Sequence, residues 1–273
     1  MMIWLNGQLL PADRARIDPR DRGFTLGDGL FETLCALDGH PLDLAAHLAR
    51  LARGSTVLEL PLPVEATEVA TAISQVLEEN GFSKGRATLR LTLSRGVGSR
   101  GLLMPLDPKP NLVITAGSFP QVPSHFDAAT VPIRRNEGSP LSRIKSLNYL
   151  DNVLAQQQAQ GAGAQEALML NNRGRIAGFA RGNLFALIGD TWVTPPLADG
   201  VLDGITRAKI LKNAEKGGID LSENSLERAD IDLFRGLFIT NSLLGCVPIA
   251  RLDGREMRLD PVLADRITAL SID

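Results

Sequence analysis

The stretch that most constrains the fold is Arg86 to Ser94. Ala87, Leu89, Leu91 and Leu93 fall on one side, and Thr88, Arg90, Thr92 and Ser94 on the other. Such strict alternation predicts a strand with one buried face and one wetted face. Two helical patterns precede it. Leu44, Leu48, Leu51 and, further on, Leu58 mark the apolar face of a predicted helix from Leu44 to about Val57, with Asp43 as its N-cap. A second helix is predicted from about Val64 to Glu79, ending at Asn80-Gly81. Asn6-Gly7, between Met2–Leu5 and Gln8–Leu10, predicts a β-hairpin because both turn residues tolerate positive φ. Gly27-Asp28-Gly29, ahead of Leu30 to Leu34, reads either as a backbone that turns tightly or runs close to a neighbour, or as an ordinary loop entering a strand. Another strand is predicted from Asn111 to Ala116.

Residues 118 to 125 have the Pro/Ser character of a linker. The expected organisation is therefore an N-terminal α+β domain over 1–118, a linker over 119–126 and a C-terminal α+β domain over 127–273. Within the second, strands are expected near 129–134, 166–170 and 237–240, and a hairpin joins 184–188 to 191–194. Helices are expected from about 147–160, 204–216 and 260–270. Hairpins outweigh regular βαβ alternation, so the class is α+β rather than a doubly wound sheet. No glycine-rich dinucleotide fingerprint or Walker loop is present.

A net charge of -2 argues against a nucleic-acid partner. No stretch is apolar enough to span a bilayer, and the amino terminus lacks a secretory pattern, so no membrane role is expected. Cys35, Cys246 and the three histidines show no metal-ligand spacing, so no metal is expected and a reduced, cytoplasmic setting is the default.

The chemistry-bearing segment is Ser142 to Leu150. It holds Lys145, one of six lysines, set between Ile144 and Leu147, with the single tyrosine, Tyr149, four residues on. An amine in apolar surroundings loses hydration of its charged form and becomes a usable nucleophile, as a Schiff-base lysine requires. The bland alternative is a lysine that snorkels or caps a helix. Arg95 to Gly101, with two arginines and three glycines, reads either as a carboxylate-holding loop or as a solvated one.

These motifs resemble, nearly end to end, the class IV aminotransferases, pyridoxal-phosphate enzymes with the two-domain D-amino-acid and branched-chain aminotransferase fold. The resemblance covers Asp21-Arg22-Gly23, Gly27 to Thr33, His47 to Leu51, Ser94 to Gly101, Ile144 to Asn148, Gln165 to Leu168, Asn183-Leu184-Phe185, Thr194-Pro195-Pro196, Gly204 to Arg207 and Thr240 to Leu243. It implies an α+β, fold-type-IV architecture with pyridoxal 5'-phosphate between the domains. It also implies a homodimer and a small amino substrate bearing a carboxylate. Lys145 would bond to the cofactor aldehyde and shuttle a proton. Arg50, Ile205, Thr206, Asn241 and Ser242 would hold the phosphate, with Tyr149, Gly178 and Leu202 also beside the cofactor. Phe31 and Arg100 would meet the substrate. In one respect the chain departs from the family: the position of the glutamate that usually partners the ring nitrogen is Gly178. Thr240 to Ile249 and Ser94 to Gly101 are similar to 4-amino-4-deoxychorismate lyase, which makes 4-aminobenzoate for folate synthesis. Ile144 to Asn148 is as similar to D-amino-acid aminotransferases. The resemblance therefore implies a lyase, with a D-amino-acid or branched-chain transaminase, or a non-catalytic binding homologue, as alternatives.

Overall fold

The computed structural model describes residues 1–257 and 261–271. The chain forms two compact units, Met1–Pro120 with Ile144–Asn148, and Gln121–Arg143 with Tyr149–Asp273.

The first unit contains β1 (Met2–Leu5), β2 (Gln8–Pro11), α1 (Arg22–Leu26), β3 (Gly29–Leu37), β4 (His40–Pro41), α2 (Leu44–Leu58), α3 (Ala66–Glu79), β5 (Arg86–Ser94) and β6 (Asn111–Ser118). The six strands form an antiparallel sheet in the order β2-β1-β6-β5-β3-β4. The alternation of β5 turns Leu89, Leu91 and Leu93 into a core with Leu30 and Leu34 of β3, Leu51 of α2, and Ile73, Val76 and Leu77 of α3. Burying each such side chain contributes about 1.5–3 kcal/mol. Register pairs Glu32 with Leu91, so this carboxylate faces the helices from within an apolar sheet face.

Asp43 does precede α2, but at φ 54 its carboxylate makes no cap bond. The short α1 was not legible as a helix. Asp21 caps it by accepting from Gly23 N at 2.6 Å, and Gly27 at φ 67 ends it.

The second unit contains β7 (Phe126–Arg135), α4 (Leu150–Gly161), β8 (Glu166–Asn171), β9 (Ile176–Phe179), β10 (Asn183–Ile188), β11 (Thr191–Thr194), α5 (Ile205–Ala214), β12 (Leu221–Glu223), β13 (Phe234–Asn241), β14 (Gly245–Leu252), β15 (Arg255–Glu256) and α6 (Pro261–Ala269). Its mixed sheet runs β12-β11-β10-β13-β14-β7-β8-β9, with β15 on β14. The expected hairpin is β10–β11. Strands β7 and β8 are instead parallel and joined through α4, one βαβ unit that the sequence reading did not anticipate. Small residues make it possible: Ala155 and Ala159 of α4 pack on Ala167 and Met169 of β8. Phe185, Leu187 and Phe238, on another stretch of the sheet, pack with Ile210 and Ala214 of α5 and Ile267 of α6. The expected start of the closing helix, Asp260, lies outside the described residues.

Two expectations about Lys145 are corrected. Residues 144–148 belong to the first unit, not to a C-terminal domain. They are paired to the edge of β3: Phe31 N donates to Lys145 O and Leu147 N to Gly29 O, both at 2.9 Å. That commitment also moves the start of the helix from 147 to Leu150. The glycines explain themselves here. A Cβ on Gly29 would lie 2.2 Å from Leu93 O and 2.7 Å from Leu147 Cδ1, so only glycine lets this segment approach.

Candidate functional site

In the first unit the paired edge presents Lys145 half-buried, with Nζ 4.2 Å from the centroid of the Phe31 ring. Phe31 is buried, and the Arg90 guanidinium lies 4.1 Å from the same ring centroid. Arg90 was missed in the sequence reading. Its signal was the alternation itself, which sends Arg90 to the face opposite the leucines.

On the helix-facing side of the same sheet, Glu32 is fully buried and takes three bonds. Arg50 Nε donates to its Oε1 at 2.8 Å and Arg50 Nη2 to Oε2 at 2.6 Å. His47 Nδ1 lies 2.6 Å from Oε2. Burial pushes the Glu32 carboxyl up, but Arg50 and then His47 outweigh it and hold the pKa below the usual value.

The two arginines of the 95–101 loop separate. Arg95 is buried and structural, donating to Leu58 O at 2.6 Å and Glu59 O at 3.0 Å at the carboxyl end of α2. Arg100 is exposed.

In the second unit the amino end of α5 is prepared for an anion. The first helical amide bond runs from Ala208 to the Gly204 carbonyl, so the amides of Ile205, Thr206 and Arg207 are not used within the helix, although all three residues are buried. Asn183 sets this turn, donating from Nδ2 to Leu202 O at 2.9 Å. A Cβ on Gly204 would fall 1.9 Å from Asn183 Oδ1. Thr240 pairs with Asn183 across the strands, and its Oγ1 is buried with no hydrogen-bond partner among the described residues. An orphaned hydroxyl and a helix terminus on one sheet face fit a phosphate. Gly204→Ala should displace Asn183, release Leu202 and cost about 1–3 kcal/mol. Thermal unfolding and a pyridoxal-phosphate titration of the variant check this, with weaker binding expected.

Asn241 shapes its turn rather than offering its side chain: Oδ1 accepts from Leu243 N at 3.0 Å and Leu244 N at 2.8 Å, and Nδ2 donates to Arg181 O at 3.0 Å. Ser242 begins that turn. Tyr149 stands at the start of α4. Arg135, also missed in the sequence, is within electrostatic reach of Tyr149 and Asp151, and its Nε is buried without an acceptor among the described residues.

Gly178 has φ +116, a conformation L side chains rarely adopt, and a Cβ there would meet Gly182 O at 3.3 Å. Glu166 does not substitute for a carboxylate at this position. Gly178 pairs with Met169, whereas Glu166 is three residues away on β8 and therefore on the opposite face. Its carboxylate is paired with Arg181, and burial, partly offset by Arg181, raises its pKa.

The chain matches the family described as Amino-transferase class IV over residues 29–252. It belongs to the class IV aminotransferases. It is 34% identical over 258 residues to a Methanocaldococcus jannaschii protein provisionally named as a branched-chain-amino-acid aminotransferase, covering 93% of this chain and 89% of that one. It is 29% identical over 254 residues to the aminodeoxychorismate lyase of Bacillus subtilis, covering 92% and 87%. The branched-chain aminotransferase of Thermoproteus uzoniensis, solved with norvaline, superposes with a TM-score of 0.92 at 27% identity, covering 99% of this chain and 93% of that one. Class IV aminotransferases are pyridoxal-phosphate enzymes with this fold, so the chain is a pyridoxal-phosphate-dependent enzyme.

Proposed function

We propose that this class IV enzyme is a 4-amino-4-deoxychorismate lyase, releasing pyruvate and 4-aminobenzoate. The observation that carries the reading is Gly178, a backbone closed to the carboxylate that would keep the cofactor ring protonated. When bound, pyridoxal phosphate supplies an electron sink, which a charged ring nitrogen deepens. A reaction that expels a leaving group depends on that sink less than amino-group exchange does. The Thr240 to Ile249 segment supports the same choice, with its turn built by Asn241 and followed by a strand through Pro248.

The roles of the chain's own residues follow. Lys145 Nζ would hold the cofactor through its aldehyde and would serve as the base that takes the proton from the carbon bearing the substrate amine. The Phe31 ring beneath Nζ favours its charged form as the proton arrives. In the second unit, Ile205 and Thr206 give amides to the phosphate, and Asn183 keeps their turn in place. Arg50 is assigned to the cofactor phosphate as a guanidinium donor. Ser242, Leu202 and Tyr149 are assigned to the cofactor, and Arg100 and Phe31 to the substrate.

The second reading, a transaminase, is favoured by the 34% identity to the Methanocaldococcus jannaschii protein. Parallel assays separate the two: release of 4-aminobenzoate from aminodeoxychorismate, and exchange between D-alanine or branched-chain amino acids and a keto acid. The lyase reading expects the first activity to dominate. Keto-acid exchange with no 4-aminobenzoate would defeat it.

A further inference from the structure

The second unit buries a carboxylate that the steps above do not use. Glu166 is fully buried and stands on the same face of β8 as Leu168 and Leu170, which belong to the apolar core. Its Oε1 accepts from both Nε and Nη2 of Arg181, and its Oε2 has no hydrogen-bond partner among the described residues. The Arg181 side chain is half-exposed, with its guanidinium 5.0 Å from the centroid of the Phe126 ring. Burial raises the Glu166 pKa in spite of Arg181, so folding disfavours the charged form. An apolar side chain of similar volume would serve the fold as well or better. Stability alone therefore does not account for the pair.

Arg181 lies in the short strap, residues 179–182, that joins β9 to β10. The strap is firm at Ala180, whose amide donates to Ala167 O at 2.9 Å and whose carbonyl accepts from Asn152 Nδ2. The next peptide, 181–182, is held more loosely. The Gly182 amide reaches Phe179 O only at 3.4 Å. A Cβ on Gly182 would lie 2.5 Å from Ile239 Cγ1, so glycine is required there and no side chain restricts the peptide from that end. This peptide carries the Arg181 carbonyl, which accepts from Asn241 Nδ2 at 3.0 Å, and Asn241 Oδ1 in turn accepts from the amides of Leu243 and Leu244. The residue after Gly182 is Asn183, which sets the amino end of α5 through Leu202 O and pairs with Thr240. One peptide plane thus stands between two segments of the second unit that frame the phosphate.

We propose that Arg181, anchored on the buried Glu166, is the positioning residue that fixes the 181–182 peptide and, through it, the Asn241 turn and Asn183. This deepens the function proposed above and rests on the phosphate lying at the amino end of α5 beside Thr240.

The experiment measures pyridoxal-phosphate dissociation by equilibrium dialysis, the 31P resonance of the bound cofactor and the melting temperature of the apo protein, for the wild type, Glu166→Met, Arg181→Gln and Thr240→Val. In metal sites, loss of an outer partner that orients a ligand weakens binding about 10–100-fold. We expect the lower end, about tenfold, for Glu166→Met and Arg181→Gln, with a shifted or broadened 31P line. The melting temperature of Glu166→Met should stay level or rise, because methionine extends the apolar face. If Glu166→Met does not fold, Arg181→Gln, at a half-exposed side chain, carries the test. A pair that serves only the fold gives the reverse, a lower melting temperature with unchanged affinity, and that result overturns the proposal. Weaker binding with an unaltered 31P line also overturns it, by putting the loss outside the phosphate site. Thr240→Val, which removes the orphaned hydroxyl, tests the phosphate placement by itself. Unchanged affinity there overturns that placement and this inference with it. Weakened binding in Thr240→Val, with wild-type affinity in the other two variants, overturns the positioning role alone.

Discussion

Lys145→Ala should abolish turnover while leaving the protein folded. Alanine keeps the main-chain bonds by which residue 145 joins the sheet, including Lys145 O accepting from Phe31 N at 2.9 Å. Among what is lost with the amine is its place over the Phe31 ring, a contact worth about 0.5–1 kcal/mol at a partly exposed site. The melting temperature of the apo protein should therefore barely move. On the proposed role of Lys145 the chemical cost is of another order, since loss of a covalent nucleophile can lower turnover about a million-fold. Two measurements check this together: steady-state turnover, and the visible absorption of the loaded protein with its bleaching by borohydride. The variant should bind pyridoxal phosphate only reversibly, with no borohydride-fixed adduct at residue 145. Retained activity, or an adduct at another of the lysines, would move the chemistry elsewhere.

The same residues show what a sequence discloses and what it withholds. Arg86 to Ser94 was legible because a strand's period is written in consecutive residues, and burial of Leu89, Leu91 and Leu93 follows from it. Gly27 and Gly29 offered a close approach as one of two readings, and the φ of 67 at the first and the Cβ clash of 2.2 Å at the second decide for it. The identity of the neighbour was not legible. Leu147 and Asn148 lie more than a hundred residues downstream, and their pairing to β3 cancels the first turn of an expected helix. Lys145, Arg50 and the Ile205–Thr206 turn were assigned through motif resemblance, whereas spacing alone left Lys145 closer to an ordinary surface lysine. Arg90 and Arg135 escaped because an arginine on a strand has no local mark of its long-range neighbours. Arg95 stands in a loop that read either as carboxylate-holding or as solvated, and its partners, Asp28 and the end of α2, are 67 and 37 positions away in the chain. Long-range pairing of charges is the part that local sequence does not encode.

At Asp28 such pairing ties several elements together. Its Oδ2 accepts from Arg22 Nε and from Arg95 Nε, each at 2.8 Å, and the two arginine side chains are only 6% and 2% exposed. Arg95 continues to the carboxyl end of α2, and Arg22 continues to Gly101 O at 3.0 Å. One carboxylate thus ties α1, α2 and the 95–101 loop to the start of β3. Asp28→Asn keeps the shape but leaves two buried guanidinium groups without their counter-charge, a change that costs about 3–5 kcal/mol in comparable buried pairs. Thermal or urea unfolding should register it as a lower midpoint, by roughly 10 °C at the sensitivity of a chain this size. The pH dependence has a definite sign. Burial pushes the Asp28 carboxyl up, but Arg95 and Arg22 together hold its pKa below the ordinary value. Its contribution is therefore complete above the unfolded carboxyl pKa of about 3.9, and it is lost only as pH falls through the lower folded value. The gap between wild type and Asp28→Asn should accordingly stay constant from neutral pH down to mild acid and close only in strong acid, where both carry a neutral group between two cations. A gap that closes near neutral pH would point to a histidine rather than to Asp28. A gap below about 1 kcal/mol would place this carboxylate with surface ion pairs, whose worth is of that size, and the three elements would then have to be held by apolar packing alone.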